Sequence, residues 1–363
     1  MSLATEPFEP RFTATAIGSL PLLDAEEAVD LVLSLMPEAP FWPQLPRADW
    51  REGMMVQYVE GLPGARLEPA TKKVVLEIEA AALGMEDVAA AYEARRTDSV
   101  AISPEHSRGF HAFCRRLEAM PAASRPRLIK GHVTGPVTLA LSLETDFEGR
   151  AAIYEPELAR LVAQVVGLKA RFQEEAFARA APGLPTLIFF DEPSLGSIGS
   201  AVLNLDATLA VELLSIAARA CQGLPGIHCC GETDLGLLVE TGVKVINFDA
   251  HDHLESVAAA GRTLGQFLES GGLLALGIVP SSLPHPEAIE HETLEGLFAR
   301  LLGVVDLLAS RGVDRDLVAR RSFLTPSCGT AGMRPALAEK SLRLTAELSR
   351  RARQAFWPGD GAG

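Results

Sequence analysis

Several kinds of protein are ruled out by what this sequence lacks. Of its 363 residues only 33 are Lys or Arg, against 47 Asp or Glu, a net charge of −14 at pH 7. Phosphate backbones are held by clustered cations, so nucleic acid is excluded as the main partner. No apolar run approaches the length of a bilayer span, and residues 301–309 are interrupted by Asp306. A membrane partner is therefore not expected either. Residues 1–10 have neither the basic segment nor the apolar segment of a secretory signal, so a soluble, cytoplasmic protein is expected. Cysteine is scarce and odd in number: Cys114, Cys221, Cys229, Cys230 and Cys328. In a reducing compartment such a set is no disulfide framework; if thiols are used, they bind metal or do chemistry. Also missing are a phosphate-binding Walker loop, a dinucleotide Gly-x-Gly-x-x-Gly turn and a Gly-x-Ser-x-Gly nucleophile elbow. There is no solenoid-period repeat and no low-complexity linker, so residues 1–363 read as one domain, frayed at 357–363.

What is present is ample apolar material, 48% of residues, arranged in short β-rich runs separated by helical patterns. The runs fall at 12–17, 40–43, 127–132, 186–191, 226–230, 243–249, 273–279 and 322–327. Eight strands alternating with helices predict an α/β fold of the (β/α)8 TIM-barrel type. Residues 62–125 then form a helical insertion between the second and third strands, with 69–96, rich in Ala, Glu and Leu, as one long helix. Asp24 and Asp206 are placed to cap helices, and Ser103-Pro104 reads as a further cap and first turn. Cys114 and Cys221 lie in helical patterns and read as packing residues.

In such a barrel, chemistry gathers where strands end in their C-terminal loops. Those ends read Ile17-Gly18-Ser19, Lys130-Gly-His132-Val-Thr134-Gly-Pro136, Asp191-Glu192-Pro193, His228-Cys229-Cys230, Asn247-Phe248-Asp249 and Cys328-Gly329. His228 and Cys230, two apart on an extended segment, project from one face, and Cys229 from the other. An imidazole and a thiolate on one face can fill two corners of a metal tetrahedron, with Cys328 and Asp249 as candidates for the others. Mixed sulfur and nitrogen ligation suits zinc, although spacing alone admits iron, copper or an inert buried pair. His251-x-His253 is a second potential metal pair, of the kind used by barrel hydrolases.

As an ordered set spanning residues 12–333, these strand-end motifs resemble the catalytic barrel of cobalamin-independent methionine synthase, in a short form without the additional N-terminal barrel. They are also similar to methylcobamide:thiol methyltransferases and, more distantly, to uroporphyrinogen decarboxylase. The resemblance implies a zinc-dependent thiol S-methyltransferase, with His228, Cys230, Cys328 and Asp249 as ligands. It implies that Ser19 and the backbone of Ile17 and Gly18 hold the carboxylate of homocysteine and that Asp191 holds its ammonium. A second carboxylate matches Asp49 or, alternatively, Glu52. Folate-using relatives place a proton-donating His after the seventh strand, where this chain has Ser281 and Ser282, with His285 beyond. A methylcorrinoid, free or on a corrinoid protein, needs no such acid and is the donor the departure implies. His228 to Thr233 is also reminiscent of enzymes that methylate coenzyme M, which carries no ammonium for Asp191 to hold.

Overall fold

Prolines decide where the first part of the chain can pair. In the computed structural model, which describes residues 8–197, 205–281 and 287–359, the segments 12–17 and 40–43 are not regular strands. Pro10, Pro40 and Pro43 lack a ladder N–H, and Arg11 and Phe12 turn through φ 48° and 57°. Isolated parallel bridges remain: Ala14 to Leu324, Phe41 to Lys130, and Ser19 to Gln44.

The elements follow in chain order. Helix α1 (Ala25–Leu35) precedes a hairpin, β1 (Ala65–Glu68) and β2 (Lys73–Leu76), and then α2 (Ile78–Glu93) and α3 (Arg108–Glu118). Next come β3 (Ile129–Thr134), α4 (Pro136–Ser142), β4 (Glu144–Thr145), α5 (Pro156–Ala180), β5 (Thr186–Asp191) and α6 (Ala207–Ala220). They are followed by β6 (Leu224–Cys229), α7 (Leu235–Glu240), β7 (Val245–Asp249), α8 (Leu254–Ala259), α9 (Gly261–Glu269) and β8 (Leu273–Val279). The last are α10 (Leu294–Ser310), α11 (Arg315–Arg320), β9 (Ser322–Pro326) and α12 (Pro335–Phe356).

Six strands pair in parallel in the order β3-β5-β6-β7-β8-β9, matching six of the eight expected runs. Both faces are covered, so the strands are buried nearly throughout, and all of β3, β7, β8 and β9 is buried. Alternation sorts their side chains into two cores. Ile188, Phe190, Ile227, Ile246, Phe248, Leu274 and Leu276 face the helices. Leu187, Phe189, Val245, Leu273, Ala275 and Phe323 form a separate inner core that also takes in Ile17 and Ala39 from the N-terminal segments. The architecture is an incomplete (β/α) barrel, six regular strands whose open edges are met by two irregular segments.

The insertion departs from its expected all-helical form. Residues 65–76 make an antiparallel hairpin, and β4 adds to β2 in parallel. Alternation of exposed and buried residues along β2 explains the strand, while Lys72 at φ 54° makes the turn. The long helix expected over 69–96 therefore starts only at Ile78. Asp24 and Asp206 cap α1 and α6 as expected, accepting from the N–H of Glu27 and of Thr208, each at 2.9 Å. Ser103 does not cap: α3 starts after Ser107, whose hydroxyl accepts from Phe110 N, while Ser103 Oγ turns to His106 Nδ1. Residues 357–359 are not a free tail at their start. Trp357 lies 6.1 Å, centroid to centroid, from the Phe12 ring, with Arg11 over its own ring; residues 360–363 lie outside the described residues. No described helix is long and apolar enough to cross a membrane.

Candidate metal centre

The C-terminal ends of the strands carry the polar side chains, and three of these converge. His228 lies near the end of β6, Cys230 just after it and Cys328 in the turn after β9. Their ligand atoms all lie within 4.8 Å of one another. Among the described residues, no other group of three His, Cys, Asp or Glu side chains comes together this closely. His228 is buried and the two cysteines partly so. Cys229 takes the opposite face, as alternation requires: it packs in the outer core, and its Sγ meets Thr233 Oγ1 at 2.7 Å.

Asn247 sets the protonation of His228. It sits directly across the β6–β7 ladder from the histidine. Its Nδ2 donates to the Ala275 carbonyl at 2.7 Å and to Thr325 Oγ1 at 2.9 Å. A carbonyl oxygen only accepts, so that end of the amide is the NH2 and Oδ1 faces His228 Nδ1 at 2.5 Å. Because Oδ1 also only accepts, Nδ1 carries its proton, and the neutral ring keeps a bare lone pair on Nε2. A histidine fixed through one nitrogen so that the other is basic is the arrangement found around bound metals. One imidazole nitrogen and two thiol sulfurs form a donor set that can hold a metal ion and is chemically suited to zinc.

Electrostatics reinforce the grouping. Burial works against a charged His228, but its hydrogen bond with Cys230 and the negative groups beside it raise its pKa. A hydrogen bond from Cys328 pulls Cys230 below the ordinary thiol value, and Cys328 is raised in turn. Asp191, across the ladder from His228, has its carboxyl pushed up to about 6 by burial, against the pull of His228 and Lys130. Its Oδ1 is buried with no hydrogen-bond partner. Leaving a carboxylate oxygen so exposed to desolvation is costly unless a cationic ligand meets it.

The Ile17–Ser19 turn is held from below. Lys130, wholly buried, donates from Nζ to the Ile17 carbonyl at 2.5 Å and lies 4.4 Å from the Phe189 ring centroid. Burial pushes its pKa down to about 7, offset in part by Asp191. Gly18 rests on the imidazole of His132, which leaves no room for a Cβ. His132 stacks on Trp42 at 3.9 Å, and burial lowers its pKa well below the usual range. Ser19 reaches the Cys328 turn: its carbonyl accepts from Thr330 N and Oγ1, both at 3.0 Å, and its hydroxyl packs on Gly329.

Other expected residues lie apart from the cluster. Asp249 is not within reach of all three ligand atoms; its Oδ1 instead accepts from the N–H of His251 at 2.8 Å and of Asp252 at 3.0 Å. Asp49 caps the turn at Trp50–Glu52 and is held by Arg51, whose hydrogen bonds lower its pKa to about 2. Glu52 is wholly buried: Oε1 accepts from Arg108 Nε at 2.6 Å and Oε2 has no partner. His251 is held between Asp252, at 2.6 Å, and Glu292, at 3.3 Å, and neither it nor His253 joins a group of three ligand atoms among the described residues. Ser282 and His285 fall outside the described residues.

Two residues stand in the strand-end motifs but receive no role from the sequence. Asn247 is one; a polar residue amid the apolar run Val245-Ile-Asn-Phe was its only signal. Glu192 is the other. It is fully buried and accepts from the N–H groups of Val137 and Thr138, at 2.9 and 2.8 Å, sealing the start of α4.

No family model matches the sequence, and no curated protein matches it. Among solved structures, a B12-independent methionine synthase from Shewanella sp. W3-18-1, in complex with selenomethionine, is similar at a TM-score of 0.61 and 15% identity. The match covers 96% of this chain and 99% of that one, and at such identity it shows a shared fold. A GH113 β-mannanase from Alicyclobacillus acidocaldarius, at 12% identity, covers 68% of this chain and 78% of its own with a TM-score of 0.35. A lyase/mutase structure from Burkholderia cenocepacia J2315, at 14% identity, covers 97% and 89% with a TM-score of 0.34. Those last two overlaps are too loose to carry an argument.

Proposed function

We propose that this chain is a zinc-dependent thiol S-methyltransferase that converts homocysteine to methionine with a methylcorrinoid as donor. The observation that carries the reading is the His228, Cys230 and Cys328 cluster beside the unpartnered Oδ1 of Asp191. His228 Nε2 and the Cys230 and Cys328 thiolates would hold the metal, with the substrate sulfur or, through its other oxygen, Asp249 as a further ligand. Bound zinc lowers the pKa of a substrate thiol, so that it is ionised near neutral pH.

The chain's own groups do the rest. Asp191 pairs with the substrate ammonium through charge-assisted hydrogen bonds. Ser19, with the backbone of Ile17 and Gly18, takes the carboxylate. Glu52 has the free oxygen a second ammonium contact requires, whereas Asp49 is occupied by Arg51. These contacts aim the sulfur at the methyl group, and such positioning supplies much of the acceleration. Sulfur takes the methyl group while cobalt leaves as Co(I) with the bonding electrons, so no proton is delivered to the leaving group. That suits a site with Ser281, not an acid, at the end of β8.

The Shewanella protein of similar fold binds selenomethionine, an analogue of the product proposed here. It is B12-independent, so it supports the thiol half of the proposal and not the donor. The same reading takes residues 1–363 as one cytoplasmic domain, with the irregular segments 12–17 and 40–43 standing in the first two strand positions of the barrel. The test incubates zinc-loaded protein and methylcobalamin with homocysteine, with coenzyme M, or with no thiol. Methionine formation, lost in Cys230→Ala and Cys328→Ala, is expected. Comparable turnover with methyltetrahydrofolate would overturn the donor, and preference for coenzyme M the acceptor.

A further inference from the structure

Cys328 is the ligand candidate farthest along the chain, and it sits on a turn beyond its strand with no ladder of its own. What holds that turn is the loop leaving β8. Ser327 N donates to the Val279 carbonyl at 2.8 Å, and Ser281 N donates to Ser327 Oγ at 3.1 Å. The Ser281 hydroxyl then clasps Cys328 itself: it accepts from Cys328 N at 2.9 Å and donates to Cys328 O at 2.8 Å. Ser281 is 4% exposed, so water does not compete for these bonds. One hydroxyl thereby satisfies both backbone groups of the ligand residue, while Ser19 holds the far side of the same turn through Thr330.

We infer that Ser281 is a positioning residue that places the Cys328 sulfur against His228 and Cys230. This rests on the reading of Cys328 as a metal ligand. It also gives the serine at this strand end a task of its own, distinct from proton donation.

The test compares Ser281→Ala with Ser281→Thr, which keeps the hydroxyl. Cobalt(II) loading is followed by its sulfur charge-transfer absorption and by competition with a chelator. In parallel, the metal-free proteins are alkylated with iodoacetamide, and Cys328 labelling is measured relative to Cys230. The alanine variant is expected to bind Co(II) about 10- to 100-fold more weakly, the range for lost supporting contacts. Its charge-transfer band should shift and its Cys328 labelling ratio change, with Ser281→Thr close to wild type in all three. Unchanged affinity, band and labelling in Ser281→Ala would overturn the inference, as would losses the threonine does not rescue. Wild-type protein that binds no Co(II) would instead sink the metal reading, and the labelling ratio would still decide on the clasp. If the alanine variant does not fold, amide exchange at Cys328 of the wild type decides: slow exchange supports the clasp and fast exchange overturns it.

Discussion

Replacing Lys130 with methionine should change stability in opposite directions at low and high pH. The lysine is wholly buried and its pKa falls from 10.5 to about 7. Below pH 7 it is charged in both the folded and the unfolded chain, so folding bears the full cost of burying the charge. As pH rises from 7 toward 10.5, the folded lysine is neutral while the unfolded one still holds its proton, and the cost fades. A shift of roughly 3.5 units corresponds to about 5 kcal/mol. Methionine fills similar space without the charge, but leaves the Ile17 carbonyl without its donor, a loss of about 1–3 kcal/mol. Lys130→Met should thus be more stable than wild type by about 3 kcal/mol at pH 6 and less stable by about 1 kcal/mol at pH 10. The curves should cross near pH 9, on the order of where the two costs balance. Urea denaturation of both metal-free proteins under reducing conditions, at pH 6 and pH 10, measures this directly. A variant equally destabilised at both pH values would refute the reasoning. Freed of its tether, the Ile17–Ser19 turn should loosen, so the variant should show a raised KM for the thiol proposed as substrate more than a lowered kcat.

Three further outcomes are expected. Asn247→Leu should weaken metal binding about 10- to 100-fold, read by chelator competition, because His228 loses the acceptor that fixes its Nδ1 proton. Gly18→Ala should lower the urea midpoint by the equivalent of about 1–3 kcal/mol, since the new methyl group meets the His132 ring pinned against Trp42. The double variant His251→Ala, His253→Ala should keep the full metal content measured by atomic emission, whereas His228→Ala should lose it; the reverse pattern would move the centre to the loop after β7.

The regular strands and the cluster were legible in the sequence for a common reason: each is written locally. Short apolar runs between turn residues mark β3 and β5 through β9, and His-x-Cys on an extended segment needs only period-two alternation to share a face. The rest depends on partners distant in sequence. Residues 12–17 read as a strand, but their backbone is set by the turn at Arg11 and Phe12 and by β9. In the insertion, helix-favouring composition outweighed the alternation along Lys73–Leu76, whose strand exists because β1 and β4 flank it. Asn247 and Ser281 are neutral residues that acquire a role only through register, one opposite His228 and the other against Cys328. Asp249 gives one oxygen to two neighbouring N–H groups, an engagement that its place at a strand end does not announce.

The bridge from Ala14 to Leu324 also dictates when this molecule can be finished during synthesis. The N-terminal segment donates hydrogen bonds to residues about 300 positions later, from Arg11 N to Arg320 O, Phe12 N to Ser322 O and Thr15 N to Leu324 O. A ribosome must therefore release the chain through residue 324 before Arg11, Phe12 and Thr15 meet these partners. Until then the edges of the growing sheet stay open to wrong partners, a hazard of contacts so distant in sequence. Cys328 follows Leu324 by only four residues, so the cluster and the closing contact become possible at nearly the same point of synthesis.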